Sequence, residues 1–165
     1  FTRYREFPEE YLRALNRSIS GYMSSYFMTG IYSYVAYSHE RDIYELRFEN
    51  GAHPSPVIVR RGGDVEILHS PGSLIGLMES VEYREQAYTL NHGDRLFLFT
   101  DGLSETSDRS GNRIIGTGDT LKDIFRDSAD EDMGNTLDNI IERADNIRGS
   151  SACEDDLLII GLSFA

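Results

Sequence analysis

The chain has 165 residues, 39% apolar and 11% aromatic, with 28 acidic against 16 basic side chains and a net charge of −12. That length suits one ordinary domain with its own core, and the composition excludes a disordered chain. The charge excludes a nucleic-acid or anionic-lipid binder, no apolar run reaches the ~20 residues of a membrane span, and the lone Cys153 excludes an internal disulfide or a multi-cysteine zinc cage.

Residues 7–23 place Leu12, Leu15, Ile19, Tyr22 and Met23 on one helical face, with Pro8 in the first turn, where proline is tolerated. The period then changes to two. Residues 26–38 and 43–50 read as the arms of a hairpin, and the stripe Tyr32, Tyr34, Tyr37 reads as sheet packing. Residues 56–61 and 65–70 flank Gly62-Gly63-Asp64 as a second hairpin, and 81–90 and 95–100 flank Asn91-His92-Gly93-Asp94 as a third. Beyond residue 106 the pattern turns helical. Leu121, Ile124 and Phe125 share one face, and Met133, Leu137, Ile140, Ile141, Ala144 and Ile147 share another before a C-capping Gly149. A final strand spans 156–164. Helices segregated from antiparallel strands read as α+β, with helices covering sheet faces.

Chemistry concentrates where strands end. The apolar run Leu96–Phe99 emerges into Thr100-Asp101-Gly102, and an acid there needs a partner, a hydrogen bond or a cation. Asp101 can therefore be a turn residue, a cap or a metal ligand, and Gly102 is the ordinary turn partner. Asp155 and Asp156 enter the last strand. If that strand lies antiparallel beside 95–100, acids 54 positions apart share one small volume, which a hard divalent cation would stabilise.

The stretch LNHGDRLFLFTDGLSETSDRSGNRIIG resembles the core signature of bacterial metal-dependent protein phosphatases of the PPM family, RsbU/SpoIIE branch. Other segments fit in the same order. FPEEYLRALNRSI resembles the helix before a Phe-x-Thr strand, here Phe27-Met28-Thr29. FENGAHPSPVIVRR resembles the Gly-His-Pro segment, with Ala52 between Gly51 and His53. GSLIGL resembles a Pro-Leu-Gly loop, and CEDDLLIIGL the terminal Asp-Asp motif. The resemblance implies an antiparallel β-sandwich flanked by helices in αββα layers, and a single domain over residues 1–165 lacking the N-terminal part.

It further implies two Mn²⁺ or Mg²⁺ ions, with Asp101 and Asp155 as ligands and Asp156 as the fallback for the second. Thr100, Gly102 and Glu105 are supporting residues, Glu105 through a hydrogen bond to nearby backbone. No side chain acts as nucleophile; a metal-activated water attacks phosphorus. The implied function is phosphoserine/phosphothreonine protein phosphatase in bacterial signalling. The implied substrate is a phosphorylated anti-sigma-factor antagonist, and the parent chain would carry an upstream sensor or receiver domain in the cytoplasm.

Two departures define the rival reading. The family's first motif, Gly-Asp-x-x-Gly-His-Gly, does not occur in these residues and is expected upstream of Phe1. Leu158 stands where the terminal motif usually has Thr. The alternative is a catalytically degenerate PPM-fold adaptor that binds a regulatory protein. Sheet edges left open by missing strands predict homodimerisation.

Other phosphatase chemistries do not fit. Cys153 lacks an Arg at the cysteine-phosphatase spacing, DGLSET lacks the Asp-x-Asp of an aspartyl nucleophile, and no P-loop is present. His39, His53, His69 and His92 show no metal-ligand spacing, and His53 reads as a loop residue. Arg60 and Arg61 read as a solvated hairpin end.

Overall fold

The computed structural model describes residues 1–20, 26–70, 72–107, 118–129, 132–149 and 155–165. After a 3-10 turn at Thr2–Tyr4, the described residues form α1 (Pro8–Ile19), β1 (Gly30–Ser38), β2 (Ile43–Gly51), β3 (Val57–Val59), β4 (Val65–Ile67), β5 (Gln86–Leu90), β6 (Arg95–Phe99), α2 (Asp101–Ser104), α3 (Gly118–Asp127), α4 (Met133–Arg148) and β7 (Ile159–Ser163). They make two antiparallel sheets with helices, as the α+β reading expects. The chain divides into two compact units, Phe1–His53 with His69–His92, and Pro54–Leu68 with Gly93–Ala165.

The first unit holds the sheet β1-β2-β5. The expected first hairpin is present, with Gly30 opposite Gly51 and Ser38 opposite Ile43. Helix α1 starts on Pro8, whose missing N–H costs nothing in the first turn, and packs against β1 and β2. Its buried Leu12 joins Ile75 and Tyr83, with Leu15, Ile19 and Tyr32 around them. Tyr32 stacks on Tyr11, ring centroids 3.8 Å apart, so this part of the tyrosine stripe is packing. The helix ends at Ile19, short of the expected residue 23. Ser20 turns extended and its hydroxyl donates to Met78 O at 3.2 Å. Tyr22 and Met23 lie outside the described residues. Strand β1 begins at Gly30, later than expected, and Met28 pairs only with Ile75 in an isolated bridge.

The second unit holds the sheet β4-β3-β6-β7. The second hairpin is present but short, Val57 opposite Ile67 and Val59 opposite Val65. One face of this sheet, carrying Val57, Val59, Phe97 and Phe99, packs with Leu121, Ile124 and Phe125 of α3 and Ile140 and Ala144 of α4. Phe125 sits 5.0 Å from the Phe97 ring and 5.7 Å from that of Phe99. Burial of each such ring is worth roughly 2–3 kcal/mol. Asp132 caps α4 by accepting from Asn135 N–H, and Gly149 ends it at φ 77°, as the sequence predicts. Ile141 departs from the expected stripe and is exposed.

The third hairpin does not exist. β5 pairs with β2, whereas β6 pairs with β3 and β7, so residues 91–94 carry the chain from one sheet to the other. Hydrogen bonds to the C-terminal segment and to the residues after β3 commit residues 93–94 to the second sheet. Gly93 N–H donates to Phe164 O, and Phe164 N–H to Asp94 O. The Asp94 carboxylate, 2% exposed, accepts from Arg60 Nη1 at 2.9 Å and from Arg61 N–H at 3.0 Å. Arg60 also pairs with Glu66 at 2.7 Å, so it is an anchored strand-end residue rather than a solvated one.

Candidate active site

The strand pairing that the site requires is present. β6 and β7 run antiparallel as neighbours, Phe99 opposite Ile159, so Asp101 leaves one strand where Asp155 and Asp156 approach the other. All three carboxylates are exposed. Asp101 is not in an open turn as the dipeptide Asp-Gly suggests; it opens the four-residue helix α2, and Glu105 N–H closes that helix on Asp101 O at 2.7 Å. Glu105 is thus held by its backbone and faces solvent.

Gly102 fixes how closely the two segments approach. It is buried, and a Cβ there would lie 2.6 Å from Asp156 O and 3.1 Å from Asp155 O. No side chain fits, so the glycine is required by contact with the opposing backbone. Thr100 completes the junction: its hydroxyl donates to Asp156 O at 2.7 Å and accepts from Leu158 N–H at 2.9 Å. Thr106 ties the end of the turn by donating to Gly102 O at 2.9 Å.

The donor set suits a hard cation. The carboxylates of Asp101 and Asp156 make no hydrogen bond or ion pair among the described residues, and Asp155 Oδ1 accepts from Asp156 N–H at 2.8 Å. Oxygen donors of this kind match Mg²⁺ and Mn²⁺ rather than softer metals. Among the described residues no three His, Cys, Asp or Glu side chains gather into a complete metal-holding group. Cys153 lies outside the described residues.

The remaining segments singled out by sequence converge within the first unit. Thr29 Oγ1 lies 3.0 Å from His53 Nδ1, and Asn50 brackets His53 by accepting from its N–H at 2.7 Å and donating to its carbonyl at 2.8 Å. Met28 and Ile75 exchange both backbone hydrogen bonds, and Gly76 N–H donates to Asn16 Oδ1 at 2.7 Å. The inserted Ala52 takes φ 56°, a left-handed conformation in the Gly51-Ala52-His53 turn.

Sequence reasoning missed one ionisable group here. Glu49, on the central strand β2, is 1% exposed, and its Oε2 has no partner among the described residues. Burial pushes its carboxyl up to about 7, against hydrogen bonds from the backbone at Asn50 and Arg84, with Glu9 and Glu85 adding repulsion. The buried Tyr83 hydroxyl also has no partner among the described residues, and burial together with Glu49 raises its pKa. Glu49 alternates with Phe48 onto the face carrying Tyr32, which packs with Leu12 of α1.

The chain superimposes on the SiaA-PP2C domain of Pseudomonas aeruginosa with a TM-score of 0.77 at 19% identity, over 97% of this chain and 62% of that one. The Mn-presoaked phosphatase domain of the cell fate determinant SpoIIE from Bacillus subtilis matches at 0.59 and 17% identity, over 82% and 56%. The RsbU and RsbW domains of a Mycobacterium tuberculosis protein match at 0.56 and 18% identity, over 72% and 32%. The chain therefore spans less than two thirds of each of these solved chains. A search among curated proteins gives no match. PP2C-like phosphatases are generally metal-dependent. The profile of the family Stage II sporulation protein E (SpoIIE) matches residues 2–165, and with nearly its whole length inside that profile the chain belongs to the SpoIIE family of PP2C-like bacterial phosphatases.

Proposed function

We propose that residues 1–165 form most of one phosphatase domain that hydrolyses phosphoserine or phosphothreonine in a bacterial signalling protein. The substrate class is a phosphorylated anti-sigma-factor antagonist, and the domain works in the cytoplasm under an upstream sensor or receiver domain. The observation that carries this reading is the β6–β7 junction, where Gly102 lies against the Asp156 backbone and two acid-bearing segments meet. Asp101 and Asp155 would hold Mn²⁺ or Mg²⁺, with Asp156 as the alternative second ligand. Bound divalent cations supply Lewis acidity to water and to the phosphoryl group, and offset the repulsion between a phosphate ester and a chain of net charge −12. The residues of this chain orient the acids: β6 anchors Asp101, Gly102 admits the opposing strand, and Thr100 and Glu105 hold the turn.

The test is Mn²⁺-dependent hydrolysis of an aryl phosphate by the protein, with Asp101→Asn as control. The expected loss is at least about 100-fold. Activity that survives the substitution would remove Asp101 from the site.

A second reading is supported by Leu158, which is 56% exposed where the family motif usually has Thr. It makes the chain a degenerate adaptor that binds a regulatory protein, and it predicts no hydrolysis in a folded protein with the partner still bound. Self-association is proposed with either reading. Leu158, just before β7, and Ile160 and Leu162 within it are exposed at alternate positions, and β7 is the end strand of its sheet among the described residues. Light scattering that gives a monomer at all concentrations would rule it out.

A further inference from the structure

A threonine at a helix N-cap ordinarily turns its hydroxyl onto the second or third N–H of its own helix. Thr100 is the N-cap of α2 and makes no such bond. Its hydroxyl points across the sheet instead, donating to Asp156 O at 2.7 Å and accepting from Leu158 N–H at 2.9 Å.

The backbone explains why. Thr100 stands opposite Leu158, one step beyond the last ladder pair, Phe99 with Ile159. In a regular antiparallel ladder two such residues exchange both N–H···O bonds. Here one survives, Thr100 N–H to Leu158 O at 3.0 Å. The Thr100 carbonyl has turned into α2 and accepts from Leu103 N–H at 3.1 Å. Leu158 N–H would then lack its acceptor, and the hydroxyl takes the carbonyl's place. The same hydroxyl has one proton to give, and it gives it to Asp156 O. One side chain thereby lets β6 stop and α2 start at a single residue while both acid-bearing segments stay paired.

We propose that Thr100 is a positioning residue for the metal-binding edge, setting the place of Asp101 relative to Asp155 and Asp156 through its two cross-strand hydrogen bonds. The proposal rests on the metal-dependent reading above and adds to it a residue that touches neither metal nor substrate. Valine has the shape of threonine without the donor or acceptor. Thr100→Val should leave Leu158 N–H and Asp156 O unpaired, and Thr100→Ser should retain both bonds.

The experiment measures Mn²⁺ affinity by calorimetry, and hydrogen exchange of the Leu158 amide in metal-free protein, for wild type, Thr100→Val, Thr100→Ser and Asp101→Asn. Circular dichroism checks that each variant is folded. The expected result is a 10–100-fold weaker Mn²⁺ affinity in Thr100→Val, the range seen when groups supporting metal ligands are removed, with faster Leu158 exchange. Thr100→Ser should stay within about twofold of wild type on both readouts, since it keeps the hydroxyl. Mn²⁺ binding lost in Asp101→Asn but kept in Thr100→Val overturns the positioning role alone. Failure of serine to restore the affinity overturns it too. A wild-type protein with no Mn²⁺ affinity sinks the metal reading and the positioning role together.

Discussion

The second unit leaves its acids in water where β6 and β7 meet, whereas the first buries one on the face of β2 toward α1. Asp101, Asp155 and Asp156 are exposed, and Asp101 and Asp156 have no partner among the described residues. Glu49 is buried with an unpartnered oxygen, and it resolves the conflict by holding its proton to about pH 7. Asp94 is the third case, buried but paired with Arg60 and with Arg61 N–H. A carboxylate inside a protein is tolerated when paired, neutralised when unpaired, and available for ligation when left at the surface. Position in the fold, rather than residue type, decides which of these an acid becomes.

The paired acid should give the largest effect. Asp94→Ala removes the Arg60 ion pair and the Arg61 N–H bond that tie residue 94, just before β6, to the residues following β3. Breaking such a pair is expected to destabilise by about 3 kcal/mol, read from urea unfolding. A loss below about 0.5 kcal/mol would mean that the residue 91–94 crossover is held by β6 pairing alone.

The buried unpaired acid should be next, and its signature is pH. The folded carboxyl titrates near 7 against an ordinary value of 4.5, raised first by burial. Its contribution to stability is therefore fully present below about pH 4.5 and lost as the pH rises through 7. The amount at stake is on the order of 3 kcal/mol. Glu85, also raised by burial and offset by Arg47, reinforces the same direction. Glu49→Gln should flatten the fall in melting temperature between pH 5 and 8 and leave the protein more stable at pH 8. An unchanged pH profile would place the titration elsewhere.

These two acids also mark what the sequence made legible. The strand ending in Thr100-Asp101-Gly102, the acids before the last strand and the α+β order were readable because apolar runs and turn residues are local signals. The β5–β6 hairpin was misread because Asn91-His92-Gly93-Asp94 has the composition of a hairpin turn, while the partners that decide the matter, Arg60 and Phe164, are distant in sequence. Glu49 escaped because alternation assigns the residue after Phe48 to an outer face. That face is covered because β2 is the central strand of its sheet and α1 packs against it. Thr100 was singled out as a supporting residue, but its two cross-strand bonds were not legible, since Asp156 and Leu158 lie 56 and 58 positions away in sequence. In each case the deciding neighbour arrives only with the fold.

At the junction itself, Gly102→Ala separates packing from ligation. The new Cβ would meet Asp156 O at 2.6 Å, so one segment must move. We expect a cost of roughly 1–3 kcal/mol from overpacking, together with a loss of Mn²⁺ affinity. Retained affinity at reduced stability would show that the two acid-bearing segments can slide apart without harm to the site.

The smallest effect on folding is expected from the residue that matters most to the proposed chemistry. Asp101 is exposed, unpartnered among the described residues, and sits at the start of a helix only four residues long, where the dipole contributes little. Removing its charge also relieves repulsion in a chain of net charge −12. Asp101→Asn should therefore change metal-free stability by less than about 0.5 kcal/mol, or roughly 1–2 °C in melting temperature. Saturating Mn²⁺ should raise the melting temperature of the wild type and leave the variant where it was, since only binding to the native state stabilises it. If the metal-free variant instead melts several degrees lower, Asp101 is holding the fold rather than an ion. The contrast between the exposed edge and the buried face would then lose its chemical meaning.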